Sequence, residues 1–227
     1  MNQPYPPVPF SFGWLRAVVC IVLCTSLAGC SQLVLLGYLI GGPPQIQPDF
    51  EKKTKKSFTD KDVKVAVVVY APNELQYRFP NIDSIIANRV TQLLANNKIS
   101  VIAPDQVRIW LEQNPDWDSP TEVGAAFDVT YVVYVDVSDF SLYERDSNAL
   151  YRGRCDAMVK VYEMKASGNG RQIYQQDMSN VFPRETPRSA TDISYDSFRT
   201  EYFWHVADQI GRLFYPYLIA DEIGYAT

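Results

Sequence analysis

The chain has 227 residues, of which 47% are hydrophobic, and this is enough for one main domain with a buried core plus a terminal segment. Its formal net charge is −5. This acidic balance excludes a general nucleic-acid binder, because such a protein needs a basic surface to neutralise phosphates.

An apolar run over residues 17–28 follows Arg16 near the amino terminus. The run is short for a membrane-spanning helix, which needs about 20 residues, and is typical of the core of a signal peptide. It ends in the tetrapeptide Leu27-Ala28-Gly29-Cys30. This tetrapeptide resembles the lipobox, the processing site of bacterial lipoproteins. The resemblance implies that residues 1–29 are a lipoprotein signal peptide and that the Cys30 thiol receives diacylglycerol before its freed amine is acylated.

The resemblance also implies a location in the cell envelope, with the protein facing the periplasm. Ser31 follows the cysteine, and the lack of an aspartate there favours the outer membrane over the inner one. One alternative stays open, because residues 31–40 are apolar as well. Residues 14–40 would then form one uncleaved transmembrane helix, and the domain would still lie at a membrane outside the cytoplasm.

Residues 30–62 are interpreted as the lipidated cysteine and a flexible tether. From Gly41 onward this segment is rich in Pro, Gly and charged residues, which break regular structure and favour solvation. Its basic residues either remain solvated, which we favour, or contact anionic lipid headgroups; they are Lys52, Lys53, Lys55 and Lys56.

A single domain is predicted over residues 63–227, and its first half alternates strands and helices. The β-branched run at 64–70 indicates a buried strand. Residues 82–97 place their apolar side chains on one helical face, and a short strand at 99–103 follows. A short helix is predicted at 105–113. A capping-box pattern with proline at the first helical position, Ser119-Pro120-Thr121-Glu122, starts the next helix.

The second half is predicted as an antiparallel meander closed by a helix. Its strands cover residues 129–142, 151–164 and 172–182. Alternation places Cys155 on the apolar face of the middle strand, which predicts a buried structural thiol. An amphipathic helix over 195–214 closes the domain. The predicted order is therefore β-α-β-α-α-β-β-β-α, an α+β fold in which helices pack on a mixed sheet.

This order is similar to that of the domain shared by the curli-export lipoprotein CsgG, the amino-terminal domain of TolB and the lipoprotein activators of penicillin-binding proteins. The segments that carry the likeness are KVAVVVY, IDSIIANRVTQLLANNKISVIAPDQVRIWLEQ, TEVGAAFDVTYVVYVDVS, GNGRQIYQQDMSN and EYFWHVADQIGRLF. The resemblance implies a non-catalytic envelope protein that binds other proteins or assembles into rings. A pore like that of CsgG is disfavoured, because residues 139–153 are too charged for a lipid-facing strand.

No catalytic, cofactor or metal motif occurs in the sequence. His205 is the only histidine, and a lone helical histidine is usually a packing or surface residue. Carboxylates occur in two near pairs, for which solvated positions are the favoured interpretation over a hydrolase site; they are Asp116 with Asp118 and Asp136 with Asp139. We expect neither a cofactor nor a metal ion, and no enzymatic activity.

The loop after the first strand carries Tyr77, Arg78 and Phe79. Binding groups often lie at this edge of an open α/β sheet, and an exposed aromatic–arginine cluster suits protein recognition. The alternative is that these rings pad the start of the next helix. We expect a membrane-anchored, protein-binding lipoprotein with an envelope protein as partner. The alternatives are a homo-oligomeric, ring-forming subunit of an export apparatus and, less favoured, an envelope hydrolase.

Overall fold

The computed structural model describes residues 45–166 and 168–218, all of which belong to one compact unit that begins at Gln45. These residues form six helices, α1 Asp49–Thr54, α2 Asn73–Arg78, α3 Ile82–Asn96, α4 Pro104–Gln113, α5 Pro120–Phe127 and α6 Tyr195–Gly211. They also form seven strands, β1 Gln45–Ile46, β2 Val65–Tyr70, β3 Tyr131–Tyr143, β4 Leu150–Met164, β5 Gly170–Phe182, β6 Arg188–Ser189 and β7 Tyr217–Leu218. The predicted α+β class is confirmed.

The main sheet has the strand order β2-β3-β4-β5, with β6 also paired to β4. β2 and β3 are parallel, whereas the other pairs are antiparallel, so the sheet is mixed as expected. The short strand predicted at 99–103 is reduced to one parallel bridge between Val101 and Val65. It stops there because Pro104 starts α4 only three residues later.

One face of the sheet carries the larger part of the core. The odd-numbered residues of β2 and the apolar residues of β3 and β4 pack here against α3 and α6. Cys155 lies on this face and is fully buried, as predicted. Burial raises the pKa of its thiol, so the side chain is a neutral packing group.

The other face is covered only in part. Helices α4 and α5 pack over β2 and the first half of β3 through Val107 and Val123. The capping box predicted for α5 is present, since the Ser119 amide donates to Glu122 Oε1 over 3.0 Å. The β4 and β5 residues on this face remain partly exposed, which explains the alternation of their sequences.

The amino-terminal boundary of the domain differs from the predicted one. The flexible tether was expected to reach residue 62, but residues 45–62 contain β1 and α1 and belong to the domain. Phe50 and Phe58 are buried with their ring centroids 4.6 Å apart, and Phe58 stacks on Phe214. The Phe50 amide also donates to the Leu213 carbonyl over 3.0 Å. Two aromatic rings therefore tie this polar segment to the core.

Two lysines of this segment form ion pairs within the domain. Lys53 pairs with Asp49 at 2.8 Å, and Lys56 pairs with Glu163 of β4. Both pairs are partly exposed to solvent, so they contribute little to stability.

Candidate functional site

The three residues predicted to bind a partner do not form one exposed cluster. They lie at the end of α2, which follows β2 after the turn at Pro72. The side chains of Tyr77 and Arg78 are exposed, and Tyr77 is 90% accessible. Phe79 is buried, with its ring centroid 4.9 Å from that of Phe140 in an edge contact. Tyr77 and Arg78 are thus available to a partner, whereas Phe79 packs in the core against β3.

A groove of about 630 Å³ runs along the edge of the sheet beside this short helix. Its floor is the β2 edge, and its walls are α3 and α4. Residues from all three elements and from α2 line it, among them Val67, Val69, Gln76, Ser84, Pro104 and Leu111. Gln76 closes the end next to Tyr77, because its Nε2 donates to the Ala71 carbonyl over 2.8 Å. Gln76 thus lines the groove, and the exposed Tyr77 is the next residue of α2.

Within the part of the chain that the structure describes, Arg108 is the one cation that lines the groove, and it lies among the carboxylates Asp83, Asp105 and Glu112. Arg108 Nη1 donates to Glu112 Oε1 over 2.6 Å, and its other terminal nitrogen lies 3.7 Å from Asp105. Asp83 accepts from the Ser84 amide over 2.7 Å, as is usual in the first turn of a helix. The mouth of the groove therefore carries a net negative charge.

A second cleft, of about 460 Å³, lies on the half-covered face. The loop between α4 and α5 places Trp117 edge-on to Tyr134 of β3, with centroids 6.3 Å apart. Burial, with Asp136, Tyr70 and Tyr162 nearby, raises the pKa of Tyr134 to about 12. Its hydroxyl therefore stays neutral at physiological pH.

The second cleft contains one carboxylate from each of the two near pairs in the sequence. Asp118 and Asp136 both line it, together with Lys160. Asp116 and Asp139 are exposed and do not line it. Asp118 and Asp136 therefore share a cleft, although they are distant in the sequence, because the loop before α5 folds back over β3.

His205 is a core residue of α6 rather than a surface group. It is only 4% exposed, and its ring centroid lies 4.4 Å from that of Phe182. Asn180 Nδ2 lies 3.0 Å from its Nε2. Burial, together with the nearby charges of Arg184 and Arg212, lowers the pKa of His205 to about 4. The imidazole is therefore neutral at physiological pH and serves packing.

The predicted lipidation site, Cys30 with Leu27, Ala28 and Gly29, lies outside the described residues. In residues 45–166 and 168–218, His, Cys, Asp and Glu side chains form no group of three suited to a metal ion. None of the helices in this part of the chain combines the length and apolar character needed to cross a membrane.

No protein-family model matches the chain, and no curated protein matches it either. Among solved structures, a lipoprotein, GNA1162 from Neisseria meningitidis, is 14% identical and has a TM-score of 0.41, over 65% of this chain and 97% of its own. A PelC dodecamer from Paraburkholderia phytofirmans is 11% identical with a TM-score of 0.39, over 76% and 96% of the two chains. The hypothetical protein CT253 from Chlamydia trachomatis is 15% identical with a TM-score of 0.39, over 66% and 95%. Likeness at this level does not define a function.

Proposed function

We propose that this chain is a lipid-anchored protein of the bacterial envelope whose domain binds another protein without catalysing a reaction. The observation that carries the binding role is the 90% exposure of Tyr77 beside the groove along β2. Aromatic and arginine side chains are enriched at protein interfaces, where they bury large areas when a partner docks. Tyr77 and Arg78 supply both, and they directly follow Gln76 of the groove lining.

The anchor rests on the lipobox residues and Cys30. Each buried methylene contributes roughly 0.8 kcal/mol to membrane binding, so one chain holds a protein only weakly, whereas two or three hold it firmly. The test is the intact mass of the protein extracted from membranes, with Cys30→Ala as the control. We expect a chain that starts at residue 30 and carries diacylglycerol plus an acyl group. An unmodified chain that still contains residues 14–40 would favour the transmembrane alternative.

The binding role is tested by cross-linking in cells. A photoreactive amino acid replaces Tyr77 in the full chain, and a matched variant carries it at Lys61, an exposed position at the opposite end of β2. We expect a defined cross-linked product from position 77 and none from position 61. Products that contain only this chain would favour the ring-forming alternative. Equal products from both positions, or none from either, would refute a partner surface at Tyr77.

A further inference from the structure

The open edge of the sheet carries a specific backbone pattern. β2 is one of the two edge strands of the main sheet, and its outer side is paired only at Val65. There the Val65 amide donates to the Ser100 carbonyl, and the Val65 carbonyl accepts from Ile102, each over 2.9 Å. In a strand, alternate residues direct their backbone groups to opposite sides. The N–H and C=O of Val67 and Val69 therefore point outward into the groove.

These four backbone groups are without a hydrogen-bond partner among residues 45–166 and 168–218. Val67 and Val69 are also only 2% and 6% exposed, so bulk water reaches them poorly. Leaving a buried backbone group unpaired costs about 1–3 kcal/mol. The groove therefore offers a ligand two donors and two acceptors with an appreciable gain for satisfying them.

The unpaired part of the β2 edge is bounded at both ends. Residues 100–102 occupy the edge at Val65, and the Gln76 side chain occupies the Ala71 carbonyl. The space between them suits an extended segment of about four residues at roughly 3.3 Å per residue. The backbone groups of Val65 and Ala71 at the two ends already have partners. The groups that remain for the ligand's backbone are therefore those of Val67 and Val69.

The walls of the groove decide what kind of chain fits. α3 and α4 flank the edge on the two faces of the sheet, with Ile85 and Leu111 among the lining residues. A second copy could not bring its own β2 to this edge, because its α3 and α4 would collide with these helices. A single extended segment that is free of flanking helices meets no such obstacle. Its alternate side chains would contact walls that carry both apolar and polar groups, such as Leu111 and Asn88.

We propose that the groove binds an extended segment of another envelope protein, which adds to β2 as a further strand through the backbone groups of Val67 and Val69. This inference rests on the proposed binding function and specifies the chemistry of the partner. Main-chain hydrogen bonds would supply affinity in this mode of recognition, and alternate side chains would supply selectivity.

The test uses the full chain in detergent micelles and heptapeptides selected against it from a phage-displayed library. The best heptapeptide is synthesised and then N-methylated at one residue at a time. We expect a period of two: methylation at residues that face β2 weakens binding about tenfold, the equivalent of one lost hydrogen bond, and methylation at the others changes it little. In valine-labelled protein, the amide signals of Val67 and Val69 should shift when the peptide binds.

A matched pair of variants locates the site. Asn88→Trp places an indole in the groove, whereas Asn96→Trp places one on an exposed position of the same helix that does not line the groove. We expect Asn88→Trp to weaken peptide binding about tenfold and Asn96→Trp to leave it unchanged. Couplings across hydrogen bonds from the Val67 and Val69 amides in the free protein would mean that another segment of this chain or a second copy fills the groove, which overturns the proposal.

Two further outcomes would overturn it. One is the failure of any heptapeptide to distinguish the Asn88→Trp variant from the unmodified chain; the other is an N-methyl scan without alternation. Cross-linking from position 77 separates the two proposals. A partner captured equally by the Asn88→Trp variant would leave the binding function in place and refute strand addition alone.

Discussion

His205 makes the stability of the domain sensitive to acid. Its Nε2 accepts from Asn180 Nδ2, because an amide nitrogen can only donate, so the folded state holds the neutral imidazole. Its pKa is lowered from 6.5 to about 4, first by burial and then by Arg184 and Arg212. As pH falls below 6.5, the unfolded chain binds a proton that the folded chain does not. Stability is therefore complete above about pH 6.5 and declines until about pH 4.

The magnitude follows from the width of this window. Between pH 6.5 and pH 5, each pH unit costs about 1.4 kcal/mol, which gives a loss of about 2 kcal/mol. Solvent screening of the two arginines reduces this to about 1–2 kcal/mol at pH 5. Urea unfolding of the full chain in detergent, followed by tryptophan fluorescence at pH 7 and pH 5, measures the loss. The His205→Gln variant is the control, since it cannot titrate. Equal losses in the two proteins would refute the reasoning, as would an imidazole pKa near 6.5.

Three other substitutions test the packing. Phe50→Ala should lower the free energy of unfolding by about 3–5 kcal/mol in urea titrations, because its buried ring is lost; a change below about 0.5 kcal/mol would restore the tether interpretation. Gly153→Ala should lower it by about 1–3 kcal/mol, because the new Cβ would overlap the Tyr202 ring; an unchanged melting temperature would contradict this contact. Tyr77→Ala should leave the melting temperature unchanged while it weakens partner capture, and a large thermal shift would make Tyr77 structural instead.

The long elements could be predicted because their signals are local. α3 was expected over 82–97 and spans Ile82–Asn96, and α5 begins at Pro120 with the predicted capping box. Helical period, strand alternation and capping each depend on residues a few positions apart. Where the apolar face of a helix or strand is long, tertiary packing therefore leaves the locally predicted element in place.

The amino-terminal boundary could not be predicted in this way. Phe50 and Phe58 stand alone among lysines, prolines and acidic residues, so no periodic pattern marks them. Their burial depends on Tyr131 and Phe214, which are distant in the sequence. These two isolated aromatic residues were the only local sign that the segment is buried. The abundance of proline and charged residues around them favoured the tether interpretation instead.

The candidate site likewise has features that the local sequence indicates and features that depend on tertiary contacts. The sequence by itself determined the α+β class and the place of Tyr77 and Arg78 after the first strand, and it predicts the lipid anchor at Cys30. Only the tertiary structure decided that β2 lies at the sheet edge, that Phe79 turns inward and that Asp118 joins Asp136. The physical reason is that strand order and loop packing arise from contacts between distant residues. The periodic alternation of side chains along a strand or helix, in contrast, follows from local backbone geometry, so the sequence shows it directly.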